Sequence, residues 1–324
     1  MAENIDESLA CVSKEKISIK PYAHAVCLLV NEDQPFFHGS SLSTKSFASY
    51  AKSGDYQEDE NAPLCKLLNN KKAIWPVSTI FAISRNRFIT TYTNITKTNS
   101  MAAEYADTCG GAEVENLSSD ADIIKGKLRI VSGYYKSTAE SDSPAPVPGD
   151  EYTWQVLKVK SITRSLSSDL AVIETEDYLS KGNCFPNPAN QSDINALRVG
   201  KSVVVAGYPL GLPLRRMRGE IANLNTEHLD TFEIKCNAFP GAAGSPVFSS
   251  ETGKLIGVLL DDARDPVLVP NIEPVPPKPG SKKSSKGTDT SKDEICYKLD
   301  VYDSDTAPSR TAAWISNVVP LQTE

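Results

Sequence analysis

An all-β architecture, sandwich or barrel, is what the sequence predicts, and three observations carry it. Short runs rich in Val, Ile, Thr and Phe recur along the chain. Clusters of Gly, Pro, Asn, Asp and Ser separate them, and a single stretch with helical spacing stands near the end. β-branched and aromatic side chains fit a pleated surface, so runs of this length between turn signals read as strands.

In chain order, residues 1–16 are polar and read as a flexible terminus. Ala23 to Val30 is a first strand, closed by Asn31 to Pro35. Residues 43–72 mix polar types around an acidic cluster and read as a surface insertion. Val77 to Ile83 and Phe88 to Tyr92, joined by Ser84-Arg-Asn-Arg87, form a hairpin. Residues 100–127 are acidic and weakly periodic, a second insertion. Lys127 to Val131 and Tyr152 to Val159 are strands flanking a Pro- and Ser-rich loop at 137–150, and Leu170 to Glu174 follows. A linker spans 179–194. Val203 to Ala206, Glu220 to Leu224 and Phe232 to Cys236 lead to a glycine-rich turn, after which Gly253 to Leu260 is another strand. The Pro- and Lys-rich stretch 270–293 cannot pack a core and reads as disordered. Ile295 to Leu299 is a last strand, and 309–319, with apolar residues at 312, 315, 318 and 319 and Ser309 as cap, reads as one amphipathic helix.

Bulk properties narrow the class. Hydrophobic residues at 40% and charged residues at 23% are globular values over 324 residues. With 34 Lys plus Arg against 41 Asp plus Glu, the net charge is −7, which disfavours a general nucleic-acid or anionic-membrane binder. No run approaches a membrane-spanning length, and the first residues follow neither a secretion nor a transit plan. The 7 cysteines are scattered with no Cys-x-x-Cys pair, so neither a metal site nor a disulfide framework is expected, and Cys27 and Cys236 read as buried packing. An intracellular, cytoplasmic location follows as the expectation; sequons at Asn94, Asn116 and Asn190 point weakly the other way. No cofactor is expected.

The chemistry-bearing stretch is Phe239-Pro-Gly-Ala-Ala-Gly-Ser-Pro-Val-Phe248. A Gly-x-x-Gly-[Ser/Gly]-Pro turn between apolar strands resembles the nucleophile turn of chymotrypsin- and trypsin-like serine proteases. The resemblance extends to Ser167-Ser-Asp-Leu-Ala-Val-Ile-Glu174 and to Gly207-Tyr-Pro-Leu-Gly-Leu-Pro213, which is similar to a motif of bacterial-type members. It covers roughly 73–95, 165–175, 200–262 and the tail. It implies two antiparallel six-stranded β-barrels, one over 17–178 and one over 195–324, with a C-terminal helix; the insertions have no counterpart.

Such an enzyme needs a nucleophile, a base to take its proton and an acid to orient the base. The resemblance puts Ala243 at the nucleophile position and Thr93, aligned through Thr90, at the histidine position. Neither side chain can perform its role at neutral pH. The acid position holds Asp169, which reads alternatively as an aspartate capping a turn. The N–H groups of Gly241 and Ala243 are the implied oxyanion hole, a backbone feature independent of the missing side chain. Ser245 and the three histidines, His24, His38 and His228, read as structural. Leu260, Asp261 and Asp262 are the implied mouth of a peptide-binding cleft, where two carboxylates favour a basic segment of a protein or peptide partner; alternatively Asp261 and Asp262 only end a strand. The resemblance therefore implies a pseudoprotease used as a binding or scaffolding module. Two other readings stand beside it, a serine endopeptidase carrying an engineered Ser-to-Ala change and an architectural subunit of a larger complex.

Overall fold

A computed structural model describes residues 22–33, 78–96, 98, 127–134, 155–165, 168–180, 184–224, 230–260 and 309–317, with short paired segments at 37–38, 41–42, 45–46, 72–73, 268–270 and 297–299. Twelve strands close into two barrels. The first is made of β1 (Val26–Asn31), β2 (Ser78–Ala82), β3 (Arg87–Thr91), β4 (Leu128–Ser132), β5 (Gln155–Arg164) and β6 (Leu170–Thr175). The second is made of β7 (Ser202–Gly207), β8 (Arg215–Asn223), β9 (Thr231–Cys236), β10 (Pro246–Ser249), β11 (Leu255–Leu259) and β12 (Ser309–Trp314). Around each barrel the first three strands are followed by the sixth, fifth and fourth, and every neighbour is antiparallel. Closure leaves no strand edge unpaired, so short strands suffice.

Period-two alternation divides the buried side chains into three cores. Cys27 and Leu29 of β1 join Ile80, Phe88, Ile130, Leu157 and Ile173, contributions from all six strands, inside the first barrel. Val203, Met217, Phe232, Val247, Ile256 and Ala312 do the same inside the second. The opposite faces, Val26, Leu28, Phe81, Ile89 and Val172 against Val204, Tyr208, Phe248, Val258 and Ala313, form a seam between the barrels. Each fully buried Phe or Leu there contributes roughly 1.5–3 kcal/mol, so both barrels depend on their contact.

Ten of the twelve barrel strands overlap runs that the hydrophobic pattern predicts; Pro246–Ser249, read only as the end of the glycine-rich turn, is an eleventh, and the expected strand at 295–299 appears as Tyr297–Leu299, paired with Leu268–Pro270 outside the barrels. The twelfth corrects an expectation: Ser309–Trp314 is a strand, followed only by a 3-10 turn at Ile315–Asn317, and not the start of a helix. Ala312 and Ala313 have high helix propensity, but they face opposite cores, Ala312 the barrel interior and Ala313 the seam. Pairing on both sides, Thr231 with Ala313 and Val258 with Ala313, overrides propensity because a helix would leave two buried strand edges open. Residues 318 and 319 lie outside the described set, as do the expected flexible terminus at 1–16, nearly all of the two insertions and the stretch 271–296.

Within the predicted linker, Gln191–Asn195 forms α1, with Asn190 and Asp193 in a reciprocal capping box. Just before it, Ala189 donates to Leu255 O at 2.8 Å, tying this segment to β11.

Candidate functional site

The glycine-rich turn connects the end of β9 to β10 and is held from inside the second barrel. Ala242 N–H donates to Phe239 O at 3.0 Å, Ser245 N–H to Ala242 O at 3.0 Å, and Gly244 N–H to Leu259 O at 2.8 Å. Gly241 and Gly244 have φ of 93° and 84°, in the left-handed region where a side chain is costly. At Gly244 the requirement is also steric, because a Cβ there would collide with the carbonyl oxygen of Thr79. Leu210, the one non-glycine residue with positive φ among the described residues, at 56°, donates its N–H to Pro240 O at 2.6 Å, propping the turn from the neighbouring loop.

The first barrel then clamps the same turn across the seam. The Thr79 hydroxyl donates to Gly241 O at 2.7 Å and accepts from Tyr208 N–H at 3.1 Å, while Thr79 N–H donates to Ala243 O at 3.2 Å. Asn94 Nδ2 donates to Ala243 O at 2.7 Å and to Thr90 Oγ1 at 3.3 Å, and Thr90 Oγ1 donates to Thr79 O at 2.8 Å. Thr79, Thr90, Asn94 and Ala243 are all buried. Buried hydrogen bonds of this kind are expensive to lose, since each orphaned partner is left without water. Tyr208, inside the Gly207–Pro213 motif, adds a bond from its hydroxyl to Val26 O at 2.7 Å and stacks on Tyr134 at 5.9 Å. That motif is an anchor between barrels.

The predicted positions 93, 169 and 243 come together around this clamp. Thr93 is exposed at the start of a helical turn over 92–96, and its N–H donates to Asp169 Oδ1 at 3.0 Å. Tyr92 N–H also donates to the carbonyl of Asp169, at 3.1 Å. Asp169 thus caps the turn that carries Thr93, as its alternative reading expects. Asn94, the next residue, bonds to Ala243. The chain of contacts runs Asp169, Thr93, Asn94, Ala243, with a carboxylate at one end and a methyl group at the other. A methyl group cannot attack a carbonyl, and a threonine hydroxyl cannot take a proton near pH 7.

Ser245 is fully buried, and its Oγ has no hydrogen-bond partner. A Cβ on Gly207 would overlap it, so the absence of a side chain at Gly207 makes room for the hydroxyl. His24 precedes β1, where burial pushes its imidazole below the usual value. The side chain of His38 and all of His228 lie outside the described residues. Leu260 is half-buried and donates its N–H to Thr311 O at 2.9 Å, so the edge at this residue is already paired. Asp261 and Asp262 lie outside the described residues. Cys27 and Cys236 are buried and Cys184 exposed, with no disulfide among them, and no metal-binding cluster of His, Cys, Asp or Glu occurs among the described residues. The Asn94 sequon is overturned as a glycan site, because its Nδ2 is buried and committed to Ala243 and Thr90. No helix among the described residues is long and apolar enough to cross a membrane.

The sequence reading missed Thr79, Thr90 and Asn94 as site residues. Local pattern places the two threonines on paired strands and the asparagine after Thr93, while the partners of Thr79 and Asn94 lie 162 and 149 residues away.

No curated protein matches the chain in sequence. Among solved structures, the chain is similar to an inactive Ser-to-Ala mutant of Rv3671c from M. tuberculosis H37Rv, at 11% identity and TM-score 0.42, covering 96% of this chain and 93% of that one. It is also similar to Deg5, at 14% identity and TM-score 0.42, covering 80% of this chain and 85% of that one. Sequence alone is more decisive: the trypsin-like peptidase domain matches residues 81–258, more than half of the 324 residues. With two closed six-stranded barrels and a glycine-rich turn clamped at their seam, the chain belongs to the trypsin-like peptidase domain family.

Proposed function

We propose that this chain is a pseudoprotease, a trypsin-like fold kept for binding an extended protein or peptide segment rather than cleaving it. One observation carries the reading. The turn at 240–245 is held by bonds from both barrels, yet the atom at the nucleophile position is the Ala243 methyl group and the residue at the base position is the exposed Thr93. Preorganisation of this quality is costly, through the positive φ of Leu210 and the conformational entropy lost in ordering Gly241 and Gly244. Without a nucleophile, what it can still present is a shaped surface and backbone donors, among them the N–H group of Ala243. The scattered cysteines, with Cys27 and Cys236 buried, support an intracellular, reducing setting.

The test combines turnover and binding. The full chain should leave fluorescent casein intact while raising the anisotropy of at least one labelled random heptapeptide library at micromolar concentration. Casein cleavage that persists after repeated purification would sink the reading. Absence of peptide binding together with incorporation into a stable complex through 270–293 would instead favour an architectural subunit.

A further inference from the structure

We propose that Arg310 determines which partner the second barrel accepts, its guanidinium taking the carboxylate of an aspartate or glutamate in an extended peptide. The proposal rests on the peptide-binding reading above. Arg310 lies on β12 directly opposite Ile234 of β9, and directly opposed residues share a face. Ile234 and Ala312, two residues along from Arg310, both belong to the interior core of the second barrel. Alternation therefore puts Arg310 on the interior face, and it is only 7% exposed. Its Nε is buried without a hydrogen-bond partner, and no ion pair among the described residues uses its guanidinium.

The position faces the turn across β11. Leu259 of β11 pairs with Ala312, and the same Leu259 exchanges backbone bonds with Gly244 and Ser245. Arg310 is the next interior position of β12 beyond that pair. At ~4.8 Å per strand spacing, it sits two strands, about 10 Å, across the sheet from the turn.

A guanidinium is charged at every accessible pH and carries five donors in a fixed fork. Buried ions are ordinarily paired, because desolvation of an unpaired charge is unfavourable. A carboxylate arriving at Arg310 would satisfy two donors at once in a charge-assisted, bidentate contact. A core selected for stability alone would carry Met or Leu here, so the arginine marks a preference for an acidic group. Asp261 and Asp262, which follow Leu260 in sequence, are the competing internal partners and need their own arm in the test.

The experiment measures anisotropy of three labelled heptapeptide libraries, with Glu, Gln or Lys fixed at the centre and all other positions random, against the full chain. The proteins are wild type, Arg310→Met, Arg310→Lys and Asp261→Asn/Asp262→Asn. Wild type should bind the Glu library at least about tenfold tighter than the Gln library, as a charge-assisted contact requires. The preference should fall to within about twofold in Arg310→Met, whose Tm should equal or exceed that of wild type because an unpaired buried charge has gone. If Arg310→Met does not fold, Arg310→Lys decides, since losing the fork should reduce the preference and an unchanged preference overturns the proposal. Equal binding of Glu and Gln libraries, or tighter binding of Lys, overturns it while leaving the peptide-binding reading intact. A preference abolished equally by Asp261→Asn/Asp262→Asn, with a lower Tm in both that variant and Arg310→Met, assigns the arginine to an internal ion pair. Failure of wild type to bind any library overturns the peptide-binding reading, and this proposal with it.

Discussion

The carboxamide nitrogen of Asn94 lies 2.7 Å from the carbonyl oxygen of Ala243, a bond between residues 149 positions apart that crosses from one barrel to the other. It ties Ala243, which the resemblance aligns with the nucleophile, to the residue after Thr93, which the resemblance aligns with the base. The turn is therefore fixed by the fold, whatever side chain sits at 243.

Removing that carboxamide should be felt throughout the seam. Asn94→Ala leaves Thr90 Oγ1 and Ala243 O each with one partner fewer in a buried site, at a cost of about 1–3 kcal/mol. For a chain of this size, that lowers Tm by a few degrees. Differential scanning fluorimetry checks it, and an unchanged Tm would mean the bond contributes nothing.

Thr79 offers an isosteric test. Thr79→Val keeps the shape but removes the donor to Gly241 O and the acceptor of Tyr208 N–H, both buried. A loss of about 1–3 kcal/mol in urea unfolding is expected, and Thr79→Ser should recover most of it. Equal stability of the Val and Ser variants would contradict the clamp.

Stability at alkaline pH should depend on Cys27. Burial pushes its thiol from 9.0 up to about 12, only partly offset by a hydrogen bond with Ser132. The folded state thus keeps a proton that the unfolded chain loses above pH 9, so this contribution is fully present below pH 9 and is lost as pH rises toward 12. At pH 11 the loss is on the order of 3 kcal/mol. Melting curves between pH 8 and 11 should fall more steeply for wild type than for Cys27→Ala, and parallel curves would contradict this assignment.

The legible parts of the fold were those where burial and periodicity agree. Leu170–Thr175 and Ser202–Gly207 are nearly continuous apolar runs, and their strands appear where those runs predict. Ser309–Trp314 was not legible because its two central alanines favour a helix locally, and only the barrel's need for a sixth strand decides otherwise. The turn at 240–245 was legible through glycine spacing, which reports backbone conformation directly. Thr79 and Asn94 were not, because their roles depend on partners 162 and 149 residues away that no local pattern encodes. Arg310 was hidden for a related reason: a lone arginine acquires meaning only when its strand is known to face inward.

Installing at 93 and 243 the groups that the resemblance expects there tests the assignment of both positions. Thr93→His with Ala243→Ser should fold, because position 93 is exposed and a hydroxyl adds little volume at 243. The double variant is expected to hydrolyse an activated ester measurably while neither single variant does, since triad members act as a unit. Its Tm should equal or fall below that of wild type. Activity in Ala243→Ser alone would show that another base is in reach.

Fluorophosphonate labelling of the wild-type chain, followed by peptide mapping, tests the central claim most directly, because the reagent reports an activated serine without needing a substrate. No serine in 240–250 should be labelled, Ser245 being protected by complete burial. Stoichiometric labelling at Ser245 would contradict it, identifying a working nucleophile two residues from Ala243 and making the chain an enzyme.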